Sequence, residues 1–216
     1  INGTIPSMSA LLTRYDIQMT EIGSIDLDGG VISSEQGLNL ENLTTDLHGD
    51  GLNVSASVQI ENLISLTGMS GTVTGDLESL EKLSTLLNTE LPATGKWQAE
   101  IKTQSNDLLN GGLDLDLLLN GEGIETKVVA TVPDLQAPEN FSVDFGLEAA
   151  DLKGINLLLG KELPEIEGIK LVGKATGKTD EYLLESARLD LGEAVIFADA
   201  AFVLAASESE KRNRIT

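Results

Sequence analysis

The sequence predicts a mainly β chain, in which antiparallel strands with one apolar and one wet face alternate with short amphipathic helices in units of about 72 residues. Three observations carry this. Strict period-two alternation runs through several segments, the signature of strands packed on one side only. Leucines recur at helical spacing just before Leu-Pro pairs. And the stretch LLNTELP (86–92) returns one unit later as LLGKELP (158–164).

The offset persists elsewhere. GDGL (49–52) becomes GEGI (121–124) at the same spacing, and GEAV (192–195) follows one position short of it. ENL ending at Leu63 is matched by PDL ending at Leu135, and Gly23, Gly95 and Gly168 open comparable segments. Several independent markers keeping one period indicate a repeat architecture, which places function in a continuous surface and not in one pocket. The units divide as 1–76 (degenerate or clipped, without a clear helix or its Leu-Pro), 77–149, 150–206, and a polar tail over 207–216.

Within a unit the helix comes first. DLESLEKLSTLLN sets leucines at 77, 80, 83, 86 and 87, and AADLKGINLLLG does the same with Leu152, Ile155, Leu158 and Leu159, with Gly160 as its C-terminal cap. Proline then ends the helix, because it lacks an amide hydrogen and disfavours helix in the residue before it. Strands follow. GLNVSASVQIE puts Leu52, Val54, Ala56, Val58 and Ile60 on one face against Asn53, Ser55, Ser57, Gln59 and Glu61. GLDLDLLLN groups Leu113, Leu115, Leu117 and Leu119, and FSVDFGLEA groups Phe141, Val143, Phe145, Leu147 and Ala149. Turns are expected at Asp28-Gly29-Gly30, Asn110-Gly111-Gly112 and Asn120-Gly121-Glu122-Gly123. EAVIFADAAFVLAA differs, since both its faces are apolar; it is a strand buried on both sides or one awaiting a neighbour.

Composition excludes several functions. The chain is 41% hydrophobic but only 3% aromatic, so Leu, Ile, Val and Ala supply nearly all of its apolar surface. There is no cysteine, hence no disulfide, thiolate metal site or cysteine nucleophile. A net charge of −21 argues against nucleic acid or an anionic membrane surface as a direct partner. No apolar run approaches the ~20 residues needed to cross a bilayer. The opening INGTIPSMSALL lacks an initiator Met and reads as a piece of something longer, with any anchor outside it.

No catalytic apparatus emerges, so no enzyme and no cofactor are expected. His48 is the sole histidine, in a turn-like DLHGDG, and reads as solvent-facing; no G-x-S-x-G elbow accompanies it. Asp26/Asp28 and Asp114/Asp116 each share a strand face and would bind calcium only with help from turn carbonyls; they lack an EF-hand loop and read as solvated faces. GKATGK (173–178) fails the spacing of a phosphate loop and lies in strand-like sequence. Tyr15, Trp97 and Tyr182 sit near strand starts and read as core aromatics.

The unit — Leu-rich helix, Leu-Pro stop, Gly, amphipathic strands, and a Gly-acidic-Gly turn before the last — resembles the repeats of AsmA-like proteins, bacterial bridge-like lipid-transfer proteins that include TamB-like members. Residues 83–95 with 113–131, and 155–168 with 183–204, carry the likeness, which covers roughly 37–204. The resemblance implies an elongated, curved antiparallel groove with an apolar inner wall. It also implies a periplasmic location, an inner-membrane anchor outside this chain, and movement of phospholipid toward the outer membrane. The groove-lining residues are then Leu52, Val54, Ala56, Val58, Ile60, Leu113, Leu115, Leu117, Phe141, Val143, Phe145, Leu147, Leu189, Leu191, Ile196, Ala198 and Phe202. On pattern alone, one-sided apolar strands describe an ordinary closed core more readily than a lipid wall. The alternative is thus a structural β-repeat, an adhesin-like stalk open to stabilisation by calcium, with no ligand groove.

Overall fold

The computed structural model describes residues 2–5, 23–34, 37–84, 89–159, 165–178 and 181–203. They form one twelve-stranded sheet in which every strand pairs antiparallel with its sequence neighbour. In order these are β1 (Asn2–Ile5), β2 (Ser24–Ser34), β3 (Gly37–His48), β4 (Leu52–Asn62), β5 (Thr67–Leu77), β6 (Trp97–Asp107), β7 (Leu113–Gly121), β8 (Ile124–Val132), β9 (Phe141–Asp151), β10 (Glu167–Lys178), β11 (Glu181–Leu191) and β12 (Ala194–Val203). The sheet is open and curved, and the mainly β groove expected from the sequence is what the chain adopts.

The expected helices begin later than the segments that suggested them. Leu77 does not begin a helix: it is the last residue of β5, and a 3-10 turn over Leu80–Leu83 follows, with 85–88 outside the described residues. β9 ends at Asp151, and the helix α1 is Lys153–Leu159, which holds Ile155, Leu158 and Leu159 as their spacing predicts. In the first case strand pairing with the next unit claims Leu77, the first residue of the leucine pattern, a tertiary gain that outweighs helix propensity. Leu86, Leu87, Gly160 and the second Leu-Pro lie outside the described residues, as do Tyr15 and Leu204.

The expected turn at Asp28-Gly29-Gly30 instead continues inside β2, facing a bulge in β3 where Asn42 (φ 47) and Leu43 stand opposite Gly29 alone. A Cβ at Gly29 would come within 3.0 Å of the Leu43 backbone, so glycine lets the strand bend without ending. The turn at Asn120–Gly123 forms between β7 and β8. Glu122 (φ 52) and Gly123 (φ 72) are both left-handed, the pairing that matches the twist of a two-residue hairpin. Asn110-Gly111-Gly112 also turns, and Asp107 organises it: its carboxylate accepts the Leu109 and Asn110 amides at 2.8 and 2.9 Å. These bonds hold its pKa below the ordinary aspartate range.

The repeat is visible in the hydrogen bonding. Glu78 N–H donates to Gly51 O (2.8 Å), and Ala150 N–H donates to Gly123 O (3.4 Å), with donor and acceptor both moved on by one period. Where the last strand of one unit meets the first of the next, an outer-face pair recurs with the same offset: Thr4 with Asp26 (2.7 Å), Gln98 with Asp76 (2.9 Å), and Lys170 with Glu148. On the inner face of the same junctions stand Ile25, Trp97 and Ile169, all buried. The period therefore marks the positions where a unit is stapled to its neighbour.

Candidate functional site

Directly opposed residues of an antiparallel pair point to the same face, so the register assigns every side chain to a side. Three rungs define the apolar face. The first passes through Leu52, Leu77, Trp97, Gly121, Ile124, Ala149, Ile169, Leu191 and Ala194. A middle rung runs Ala56, Val73, Ile101, Leu117, Val128, Phe145. A third runs Val58, Gly71, Thr103, Leu115, Ala130, Val143, Ala175, Leu184, Ala200. All seventeen residues named from the sequence fall on this face. No charged side chain stands in any of the three rungs.

The rungs differ in what covers them. The crossover segments between β5 and β6 and between β9 and β10 lie over the first rung. Leu80, Leu83, Leu152, Ile155 and Ile166 pack on Leu77, Trp97, Ile124, Ala149 and Ile169, and this is the core of the molecule. Thr94, shortly after the proline, helps lock the first crossover: its Oγ1 accepts from Leu80 N–H (3.1 Å) and from Trp97 Nε1 (2.9 Å). Trp97 is thus a satisfied core aromatic, as expected. At the second crossover, α1 enters through Gly154, where a Cβ would meet the Glu122 carbonyl at 2.4 Å.

Beyond that rim nothing among the described residues covers the apolar face. Every residue of the middle and third rungs named above is half-buried, and among the described residues no side chain is fully buried. A second sheet clasped over this face would have buried the central rungs first. The opposite face is polar and mostly exposed: Asn53, Ser55 and Gln59 on β4, Gln98 and Lys102 on β6, Asp114 and Asp116 on β7.

The wall is also kept level. Three of its aromatic residues stand directly opposite glycines, and their rings lie over them. A Cβ on Gly121 would fall 2.2 Å from the Trp97 ring, on Gly173 2.6 Å from Phe145, and on Gly177 2.3 Å from Phe141. Each ring fills the gap its glycine leaves. The Phe141 ring continues to Tyr182, with centroids 6.1 Å apart. Sequence reading missed the glycine half of these pairs, and with it β5, whose Gly68, Gly71 and Gly75 weaken the strand signal. Val73, Ile101, Val128, Ala130 and Leu184 were also not singled out, although the first two alternate with polar or charged neighbours.

The other chemical candidates are placed plainly. His48 ends β3, exposed, its Nδ1 3.3 Å from Asn53 Oδ1. Asp114 and Asp116 are exposed on the polar face, and Asp114 accepts from Thr131 Oγ1 at 2.8 Å. GKATGK lies inside β10. Among the described residues no three acidic or histidine side chains converge as metal ligands, and no helix is long and apolar enough to cross a membrane. Hollows on the polar face are open; one of about 390 Å³ is lined by Ser57, Gln59, Thr72, Lys102 and Asp116 among others, and Lys102 is already paired with Glu100 at 2.9 Å. Comparison with protein-family models, curated proteins and solved structures found no match to this chain.

Proposed function

We propose that the chain is a segment of a lipid-transfer protein whose uncovered apolar face shields phospholipid acyl chains on the way between two membranes. The observation that carries this is the charge-free apolar trough, continuous across the sheet and left open beyond one covered rim. Burying apolar surface is worth about 0.8 kcal/mol per methylene, so two chains of about 16 carbons exposed to water would cost over ~20 kcal/mol. A trough of aliphatic side chains removes most of that cost at every position along its length. Rings laid flat over glycines leave a sliding chain few obstacles. The likeness to AsmA-like repeats supports the same reading and suggests a periplasmic setting with an inner-membrane anchor elsewhere in the parent protein. In the rival reading, a stalk with a closed core, the middle rungs would be buried.

The test is lipid capture and transfer between vesicles by the whole chain, with native mass spectrometry of the gently purified protein. Val58→Asp and Phe145→Arg, which set a charge in the trough, should abolish capture, while Ser57→Asp on the polar face should not. Undiminished transfer by both trough variants would sink the proposal.

A further inference from the structure

The open part of the apolar face has two unlike margins. Along one lies the first rung beneath Leu80, Leu83, Leu152, Ile155 and Ile166, and the rung beside it sets Leu119, Leu147 and Leu189 half-buried against that core. Along the other margin the strands end in polar turns. There Asn62, Asp107 and Asp134 each accept backbone amides at 2.8–3.1 Å. Ser65, Asn106, Asn110, Gln136, Lys178 and Glu181 stand exposed along the same margin. An oily stop thus faces a wet rim across the same strands.

Strand geometry sets the distance between them. From Leu147 to Phe141 on β9, or from Leu119 to Leu113 on β7, is six residues, about 20 Å at the rise of a strand. The hydrocarbon core of a bilayer is about 30 Å thick, so the chains of one leaflet occupy about 15 Å. The open width therefore holds a chain of ordinary membrane length with little to spare. Between the margins, β6 offers a headgroup no free hydroxyl. Thr103 Oγ1 donates to Asp114 O at 3.1 Å, and Ser105 Oγ donates to Gly112 O at 2.7 Å.

We infer that each acyl chain lies along the strands, its methyl end against the crossovers and its headgroup at the turn rim, so that the crossovers gauge chain length. This rests on the lipid reading above and adds a selectivity to it. A chain lying across the strands would leave its headgroup among charge-free apolar rungs. One inverted along them would press the headgroup beneath Leu80 and Ile155. Either pose desolvates a charged group without a partner. In the inferred pose the lipid advances sideways, strand by strand, with its headgroup in water throughout. A chain longer than the open width meets the stop, and each surplus methylene left in water lowers capture roughly fourfold.

The sole tryptophan, Trp97, is buried on the covered rung and reports the pose. In protein loaded from phosphatidylcholine vesicles and then separated from them, lipid brominated near the methyl end should quench Trp97 fluorescence more than lipid brominated near the headgroup. From vesicles of mixed chain length, the lipid found by native mass spectrometry should be even up to a limit and then fall roughly fourfold per added methylene. Equal or reversed quenching, or capture that stays even to the longest chains, would overturn the inference while leaving lipid binding intact. No captured lipid at any length would sink the lipid reading and this inference together.

Discussion

Ile169 and Phe145 belong to adjacent strands of one sheet and point to the same side of it, yet they have different fates. Ile169 is 4% exposed beneath the crossover residues, and Phe145 is half-buried beneath nothing the described residues supply. One end of each unit is thus a small conventional core, and the rest of the same face is an apolar surface facing outward. Core packing and open apolar surface fall on different rungs of one ladder. A rung beneath a crossover resists change because its neighbours fill space around it. An open rung tolerates change in shape, since nothing packed above it must rearrange, but not a change in polarity.

That contrast can be broken in order of expected effect. Ile169→Asp buries an unpaired carboxylate in the core and should cost about 4 kcal/mol or more, read from denaturant midpoints. Trp97→Ala should cost about 3–5 kcal/mol, because it opens a cavity and strips Thr94 of a donor. Gly121→Val should cost about 1–3 kcal/mol by forcing the Trp97 ring off its seat. Val58→Asp, on the open third rung, should cost only about 1 kcal/mol in the same assay, though it should remove lipid capture. If Val58→Asp destabilised the chain as much as Ile169→Asp, the two regions would not differ and the trough would be closed.

The smallest effect concerns pH. Asp107 and Asp151 accept backbone amides at a turn and at the start of α1, and both carboxyls are held below the ordinary range by those bonds. A depressed folded-state pKa adds stability that is complete above the unfolded value of about 3.9 and is lost as pH falls below it. Acid titration of stability should therefore show a shallow loss below about pH 4, reduced in Asp107→Asn. Both groups are exposed, so this loss should be minor beside that of Ile169→Asp.

Much of the fold was legible because strand alternation and turn chemistry are local. The faces of β4, β7 and β9 could be read directly from GLNVSASVQIE, GLDLDLLLN and FSVDFGLEA. The first helix was started too early because leucine spacing cannot say that Leu77 is claimed by strand pairing across the unit junction. The glycines opposite Trp97, Phe145 and Phe141 were not legible as seats, since a seat exists only once two strands have a register. Gly29 was read as a turn for the same reason: a glycine marks a place where the backbone bends, and its partner strand decides whether the strand ends there.

The sequence by itself determined which side of each strand avoids water and how often the pattern recurs, because those are properties of neighbouring residues. Only the tertiary structure decided what each apolar side meets. Leu77 and Val73 carry the same signal within one strand, but a crossover lies over the first and leaves the second open. Alternation records a preference for leaving water; it holds no information on whether the chain or a guest provides the cover.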